Sequence, residues 1–332
     1  MRQTLLCIVI LFVALNTKAQ TTNDFQATGE PTARIYSNFH TGLTAGDDNA
    51  VFEIERAYLG YSYNMSPVFS ASILLDIGSP EDESVYAMVK RFAYFKNAYI
   101  RYAKNKLDVR FGIVGMNHFK VQESFWGYRY IEKSFADRYK FGKSADLGII
   151  AQYEINPQLT VDAAIVNGEG YSQLQTDNYF EYTAGLTLSA PEKLTWRFFA
   201  NYGPSDGRTK MVYAAFLGYK PTKNLSIAAE YNILQNYKYL ENRNQSGYSF
   251  YSTYALKNNW KIFGRYDILE SNALDGTTTP WNLAKDGTSI IAGVEKKLHK
   301  NLKISLNYRD WFPSAANIDN EAYLYFNVEF KL

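Results

Sequence analysis

Apolar residues occur at every second position along most of the chain. Leu225, Ile227 and Ala229, for example, alternate with Ser226 and Ala228. The same alternation occurs in residues 194–202, 260–268 and 302–309. A period of two is that of a β-strand with one apolar face, so the pattern predicts an all-β fold.

Short and long connections alternate between these segments. The short connections carry Asn, Pro or Lys turn signals and lie at residues 64–67, 104–106, 156–157, 190–192, 221–224, 257–259 and 299–301. The longer connections lie at residues 44–51, 79–90, 115–144, 168–178, 204–209, 237–245, 270–285 and 313–320. Seven short and eight long connections predict 16 strands with both chain ends on the short-turn side.

This sorting of connections by length indicates a membrane barrel. Outer-membrane barrels have an even number of strands, short periplasmic turns and longer outer loops. A soluble sandwich or propeller has no reason to sort its connections in this way. The predicted fold is therefore an all-β, 16-stranded antiparallel transmembrane β-barrel of the bacterial outer membrane.

The first 19 residues have the features of a secretory signal peptide. Arg2 precedes the apolar run of residues 5–15, and Thr17 and Ala19 are small enough for the positions before a cleavage site. We predict cleavage after Ala19 and a barrel formed by residues 20–332. The single cysteine, Cys7, lies inside the signal segment, which argues against disulfides and cysteine chemistry in the mature chain.

The composition fits a barrel with a wet interior. The chain has 28 Tyr, 21 Phe and 5 Trp residues, although its mean hydropathy is only −0.31. Aromatic girdles at the lipid boundaries and a polar lumen account for both values. Without the signal segment there are 33 Lys and Arg against 33 Asp and Glu, so nothing favours nucleic acid as a partner. The expected partners are outer-membrane lipid and small solutes.

Two places break the alternation. Phe52 and Ile54 have the opposite parity to the apolar residues that follow them, which predicts either a β-bulge near Glu55 or a position in the outer loop. Lys96 falls on the lipid-facing parity of its strand, and we expect it at the outer rim.

Several stretches resemble the phosphate-selective porin family (the O and P type). They are residues 56–61, 69–76, 109–113, 125–131, 144–148 and 167–170. They follow the family's order over about the first half of the mature chain, and the second half matches in strand pattern. The resemblance implies a 16-stranded barrel, often trimeric, that passes small solutes. It also implies that the connection at residues 115–144 folds into the lumen and constricts it.

The family's phosphate selectivity depends on inward arginine ladders and a lysine cluster. In the predicted register the inner wall carries nine basic residues, namely Arg34, Arg56, Arg101, Arg110, Arg197, Lys261, Arg265, Lys303 and Arg309. It carries nine acidic residues, namely Asp76, Asp108, Glu154, Asp162, Glu181, Glu230, Asp267, Glu295 and Glu329. Rings of one sign select the opposite ion, so the wall alone predicts little preference.

The connection at residues 115–144 carries a net charge of +3 and eight aromatic residues. Such rings need a surface to pack against, and the barrel wall is the nearest one. We expect an inward constriction with a mild anion bias; the alternative is a cap or a subunit contact. The expected pore-lining residues are Lys120, Arg129, Lys133, Arg138, Lys140, Arg56, Arg101 and Arg110.

The sequence favours a passive diffusion porin over an enzyme. His40, His118 and His299 lack the spacing to a serine that a barrel hydrolase needs, and no pair of histidines has metal-ligand spacing. We expect no cofactor. The alternatives are a plugged structural or adhesive barrel and, less favoured, a barrel hydrolase. A homotrimer is one expected assembly, and a monomer is the other.

Overall fold

The computed structural model describes residues 25–44, 50–78, 92–190 and 193–332, so the predicted signal peptide lies outside the described residues. Eight strands form the first half of the barrel, namely β1 (Thr28–Gly42), β2 (Ala50–Asn64), β3 (Phe69–Gly78), β4 (Phe92–Lys104), β5 (Leu107–Gly115), β6 (Ala145–Asn156), β7 (Leu159–Val166) and β8 (Glu181–Ala190). Eight more complete it, namely β9 (Leu194–Ser205), β10 (Arg208–Tyr219), β11 (Leu225–Gln235), β12 (Gln245–Ala255), β13 (Trp260–Ser271), β14 (Gly287–His299), β15 (Leu302–Pro313) and β16 (Glu321–Lys331).

Each strand pairs with its neighbours in the sequence, and β1 pairs antiparallel with β16 to close the barrel. The closing register runs from Arg34 opposite Lys331 to Gly42 opposite Tyr323. Closure leaves no strand edge with unpaired backbone groups, which a lipid environment requires. The predicted 16-stranded antiparallel barrel is confirmed.

Within the described residues the short connections are where the sequence predicts them, but the longer connection predicted at residues 204–209 is wrong. The predicted connection at 79–90, most of that at 44–51 and part of that at 190–192 lie outside the described residues. Between β9 and β10 the chain turns through only Asp206 and Gly207. Their φ angles are 45° and 73°, which is the geometry of a tight Asp-Gly hairpin. Residues 204, 205, 208 and 209, predicted as loop, continue the two strands.

Both breaks in parity are β-bulges. The pairing of β1 with β2 skips Glu55, between Arg56 opposite Tyr36 and Ile54 opposite Ser37, so the predicted bulge is confirmed. A second bulge lies at Lys96, where the pairing of β3 with β4 shifts. This bulge brings Lys96 against Tyr171, with its Nζ 4.2 Å from the ring centroid. The expected rim position for Lys96 is therefore wrong, and the side chain faces the lumen.

The two faces of the barrel differ as the alternation predicts. Large apolar side chains on the outer face are exposed, among them Leu59, Phe111 and Leu306. Polar and charged side chains on the inner face are buried, among them Asp267 and Asn327. This is the inverse of a water-soluble protein and suits a barrel in lipid.

The longest connection, residues 116–144 between β5 and β6, is named loop 3 here. It contains the short helices α1 (Lys120–Trp126) and α2 (Phe135–Arg138). Gly127 ends α1 in the left-handed conformation at φ 75°, and its N–H donates to Glu123. In the described parts of the chain, no helix is long and apolar enough to cross a membrane.

Candidate functional site

The aromatic residues of loop 3 pack against one side of the inner wall. Trp126, Tyr128, Tyr130 and Ile131 are buried together in one cluster. Their wall partners come from six strands and are Tyr36, Phe216, Ala228, Tyr251, Phe263 and Ile291. Burial of a large apolar side chain contributes about 2 kcal/mol, so the packing holds the loop firmly against this wall.

A second cluster holds the end of loop 3. Phe135, Ala136 and Phe141 are buried against Val212, Leu234 and Leu269, which belong to β10, β11 and β13. The two clusters together cover the inner faces of β10–β14. Loop 3 therefore lies inside the ring of strands and occupies the β10–β14 side of the lumen.

Hydrogen bonds fix the loop at points between the aromatic contacts. The hydroxyl of Tyr130 donates to Oε2 of Glu295 at 2.9 Å. The hydroxyl of Tyr251 donates to the carbonyl of Gln122 at 3.1 Å. These bonds satisfy polar groups that the packing would otherwise leave buried without partners.

Glu132 is the centre of a charged network between loop 3 and the wall. Its Oε2 lies 3.3 Å from Nη1 of Arg138, and the same guanidinium donates to Oγ of Ser289 at 3.1 Å. Burial alone would raise the pKa of Glu132, but the charges of Arg138, Arg309 and Arg265 outweigh it and lower the pKa to about 2. The carboxylate is therefore ionised at all physiological pH values.

The lumen stays open on the opposite side, between loop 3 and β1–β6. A cavity of about 510 Å³, named the outer cavity, lies toward the long loops and is lined by residues such as Arg56 and Tyr171. A cavity of about 310 Å³, named the inner cavity, lies toward the short turns and is lined by residues such as Arg34 and Lys120. The two cavities share Lys96, Arg129, Asp137 and Ser144, and these residues form the junction between them.

Five of the predicted pore-lining residues border these cavities. They are Arg56, Lys120, Arg129, Lys133 and Lys140. Arg129 is held at the junction by Glu123, 3.5 Å from its Nε, and by Glu55, 3.7 Å from its Nη1. Burial acts against its charge, but Tyr58, Asp137 and Glu123 raise its pKa, so the guanidinium remains charged.

The other three predicted residues are engaged elsewhere. Arg138 faces the wall, where its guanidinium also lies over the rings of Tyr139 and Trp311. Arg101 and Arg110 both pair with Asp108, with closest charged atoms 2.6 Å and 2.9 Å apart. Glu132 therefore balances the charge of Arg138, whereas Arg101 and Arg110 share the single carboxylate of Asp108.

The structure adds three basic residues that were not among the predicted pore-lining set. Lys96, Arg34 and Lys143 all line the cavities. At the junction, Lys96 donates from Nζ to Oγ of Ser144. In the sequence, the apolar neighbour Phe95 could have indicated that Lys96 faces the lumen. Phe95 is exposed on the lipid face, so the lipid-facing parity changes between residues 95 and 98.

The charges of the inner wall mostly pair with one another. Arg197 and Asp162 are 2.8 Å apart, and Arg265 and Asp267 are 2.7 Å apart. The remaining pairs are Arg56 with Asp76, Lys210 with Glu181, Lys261 with Glu295, and Lys303 with Glu295 and Glu329. The balanced wall leaves the charge of the open side to be set mainly by loop 3 and Lys96.

The three histidines have partners other than hydroxyl groups. His118 is buried and stacks on Phe199 with ring centroids 4.2 Å apart. Nδ1 of His40 lies 2.8 Å from Oδ1 of Asn38, and Nδ1 of His299 accepts from the backbone of Asn301 at 3.4 Å. Within the described residues, no group of three or more His, Cys, Asp or Glu residues could hold a metal ion.

A closed 16-stranded barrel, with an internal loop beside two charged cavities, defines a porin-type channel. A family model described as "Putative beta-barrel porin-2, OmpL-like" matches residues 143–321, which is more than half of the chain. The chain belongs to this beta-barrel porin family, and its location is the bacterial outer membrane. Comparison with curated proteins gives no match.

Three solved structures illustrate the likeness in fold. The Salmonella typhi OmpF complex with daunomycin has a TM-score of 0.70 at 11% identity, covering 92% of this chain and 97% of that chain. The anion-selective porin from Comamonas acidovorans has a TM-score of 0.65 at 10% identity, covering 92% and 100%. The in-vitro folded trimer form of Vibrio cholerae OmpT has a TM-score of 0.63 at 12% identity, covering 93% and 100%. At these identities the likeness shows the fold.

Proposed function

We propose that the protein is a passive diffusion channel for small hydrophilic solutes with a mild preference for anions. The observation that carries this proposal is the excess of basic side chains along the two cavities. Eight basic residues line them, namely Arg34, Arg56, Lys96, Lys120, Arg129, Lys133, Lys140 and Lys143. Four acidic residues line them, namely Asp76, Glu123, Asp137 and Glu169.

Excess charge of one sign in a pore favours ions of the opposite sign. The inner wall, whose charges mostly pair with one another, supplies little of this excess. Loop 3 supplies it by covering the paired charges of β13 and β14, such as Arg265 and Asp267, and by presenting Arg129 and Lys133 on the open side. The preference is mild because Asp76 and Asp137 line the same cavity.

The phosphate-selective subtype remains a prediction. Its resemblance covers mainly the first half of the chain, whereas the matching family model covers residues 143–321. The Comamonas acidovorans protein that shares the fold is described as anion-selective, which supports anion preference in general and names no particular anion.

The proposal assigns no catalytic step to the barrel. A hydrolase would need a nucleophile beside a base, and His118 instead contacts Phe199 and Phe119. Arg129, which lines the open lumen, is paired with Glu123 of loop 3 and with Glu55 of β2. This arrangement suits electrostatic guidance of a passing solute.

We also propose a homotrimer. The support is the fold shared with Vibrio cholerae OmpT, for which a trimer form is described. Electrophoresis of the folded protein without heating distinguishes the assemblies, since a trimer migrates at about three times the monomer mass. A single monomer-sized band under all mild detergent conditions would contradict the trimer.

The first test of the channel is single-channel conductance in a planar bilayer under a salt gradient. We expect discrete steps and a reversal potential on the anion side. Neutralising three basic residues that line the cavities, with Lys96→Gln, Arg129→Gln and Lys133→Gln together, should move the reversal potential toward cations. Lys285→Gln, which removes an exposed charge in an outer loop, is the matched control and should leave the potential unchanged.

Other outcomes of this measurement are also decisive. A strong anion preference with block by inorganic phosphate would support the phosphate-selective subtype. An unchanged reversal potential in the triple variant would contradict the assignment of anion preference to these basic residues. No steps from protein shown to be folded would indicate a plugged barrel, and the structural or adhesive function would replace the channel.

A further inference from the structure

The lipid-facing surface of β10–β14 carries two adjoining grooves. A groove of about 580 Å³ lies there, with Ser252, Gly264 and Ala292 among its lining residues. A second groove of about 380 Å³ adjoins it and shares Leu217, Ala229 and Phe250 with it. Both lie on the outer face of the barrel, away from the lumen.

The register of three strands explains the floor of the groove. Ser252 lies directly opposite Gly264, and Gly264 lies directly opposite Ala292. Three small side chains therefore meet on adjacent strands. Larger side chains, including Phe250 and Tyr266, line the same groove, so its floor is formed by small residues and its sides by larger apolar ones.

The same strands lead from the groove to basic residues at the short-turn end. Ala292 and Lys296 lie on the same face of β14, four residues or about 13 Å apart. Trp260 lies opposite Lys296, and the Nζ of Lys296 is 4.9 Å from the centroid of its ring. A tryptophan and a lysine at this level are typical of the boundary between hydrocarbon and head groups.

Lys296 has capacity for a further acceptor. Its Nζ donates to the carbonyl of Asn258 at 2.6 Å, and an ammonium group has three donors. Lys257 is exposed on the neighbouring turn. Among the residues that the structure describes, neither lysine has a carboxylate within ion-pair distance. The head-group end of the groove is therefore positive and open to an anion.

We propose that this groove binds a phospholipid with an anionic head group, from the leaflet on the short-turn side. One acyl chain lies on the floor formed by Ser252, Gly264 and Ala292, and the phosphate contacts Lys296 and Lys257. A second copy of the chain fits less well, because its outer face, rich in exposed apolar side chains such as Leu59 and Phe111, would cover these two lysines. Lipid supplies both the hydrocarbon and the anion.

Filling the groove tests the acyl contact. A Cβ at Gly264 meets only the carbonyl oxygen of Ile291, at 3.8 Å, so Gly264→Leu projects into the groove without a clash at its first carbon. The matched control is Ala184→Leu, a small, exposed, outward residue of β8 that lies outside the groove. Native mass spectrometry would count lipids retained from vesicles of equal phosphatidylglycerol and phosphatidylcholine.

We expect the unmodified protein and Ala184→Leu to retain phosphatidylglycerol, and Gly264→Leu to lose it. Neutralising Lys296 and Lys257 to Gln should reduce the preference over phosphatidylcholine by about fivefold for each lysine near the anionic surface. Lys104→Gln, at the short-turn end of β4, is the control for the lysine variants. All variants must first show the migration of a folded barrel in unheated gels.

Three results would overturn the proposal. They are equal retention of both lipids by the unmodified protein, equal phosphatidylglycerol retention by Gly264→Leu and Ala184→Leu, and dimers or trimers that Gly264→Leu alone disrupts. The last result would assign the groove to a second copy of the chain. If Gly264→Leu fails to fold, the lysine variants decide the question, because their substitutions lie outside the packed wall.

Discussion

Single side chains set the charge of the open lumen, and Lys120 is one whose charge changes close to neutral pH. Its Nζ donates to the carbonyl of Gly115 at 3.0 Å, and it lines the inner cavity. Burial, together with the charge of Arg110, lowers the pKa of Lys120 to about 8. The ammonium form is present below that pH and is lost as the pH rises through it.

We therefore expect the anion preference to decrease between pH 7 and pH 9. Lys120 contributes one of the four excess positive charges along the cavities, so the expected loss is about a quarter of the preference. Reversal potentials at the two pH values measure it. Lys120→Arg should lose less of the preference between the two pH values than the unmodified protein, and Lys120→Gln should already show a reduced preference at pH 7. A pH response that is equal in all three proteins would exclude Lys120 as its source.

Most inward and outward positions follow from alternation alone, because side chains in a strand change face at every residue. Lys96 is the informative exception. A single extra residue in β4 reverses the faces of everything beyond it, and the bulge is visible only when Phe95 and Ala98 are both recognised as lipid-facing. The bulge at Glu55 is easier to predict, because two apolar residues, Phe52 and Ile54, both have the opposite parity to the apolar residues that follow.

Among the structural elements, loop 3 depends most on contacts distant in sequence. Its aromatic content predicts packing against a wall, but it does not predict which wall. That choice depends on apolar inward residues such as Phe216, Ala228 and Ile291, which come from three strands far along the chain. The hairpin at Asp206 shows the opposite case, because the Asp-Gly pair is a local signal that favours a two-residue turn.

The Glu132 network predicts an acid-sensitive attachment of loop 3. The pKa of Glu132 falls from its ordinary value of 4.5 to about 2, so its contribution is complete above pH 4.5 and is lost as the pH falls toward 2. Glu132→Gln should cost about 2 kcal/mol, less than for a fully buried pair because both side chains keep some exposure. Chymotrypsin cleavage at the buried Phe135 and Phe141 should then increase roughly 30-fold at neutral pH.

The control for this variant is Glu241→Gln, which removes an exposed carboxylate from an outer loop. It should leave both the cleavage rate and the conductance unchanged. Glu132→Gln should also give noisier channels, because the loop leaves its position on the wall more often. Equal cleavage rates in the two variants would mean that the aromatic clusters alone hold the loop.

At the scale of the whole molecule, two layers of charge have different functions. The wall is balanced and largely paired, as for Arg197 and Asp162, which satisfies charges that face a narrow interior. Loop 3 adds net positive charge on the open side only. The sequence predicted the balance of the wall and the charge of the loop. It did not predict that loop 3 runs along one side of the lumen, because that depends on which inner-wall residues the loop packs against.

This division of charge predicts what removal of loop 3 should do. The backbone N–H of Met116 donates to the carbonyl of Ser144 at 3.0 Å, so β5 and β6 meet at the base of the loop and a four-residue linker can replace residues 118–142. We expect a conductance several times larger, because the β10–β14 side of the lumen opens. We also expect a smaller anion preference, because the deletion removes four of the basic residues that line the cavities but only two of the acidic ones. Deletion of residues 273–280 is the matched control, since Trp281 donates to Asn272 at 3.1 Å across the base of that outer loop. A wide channel that kept its full anion preference would place the selectivity in the wall and contradict the assignment to loop 3.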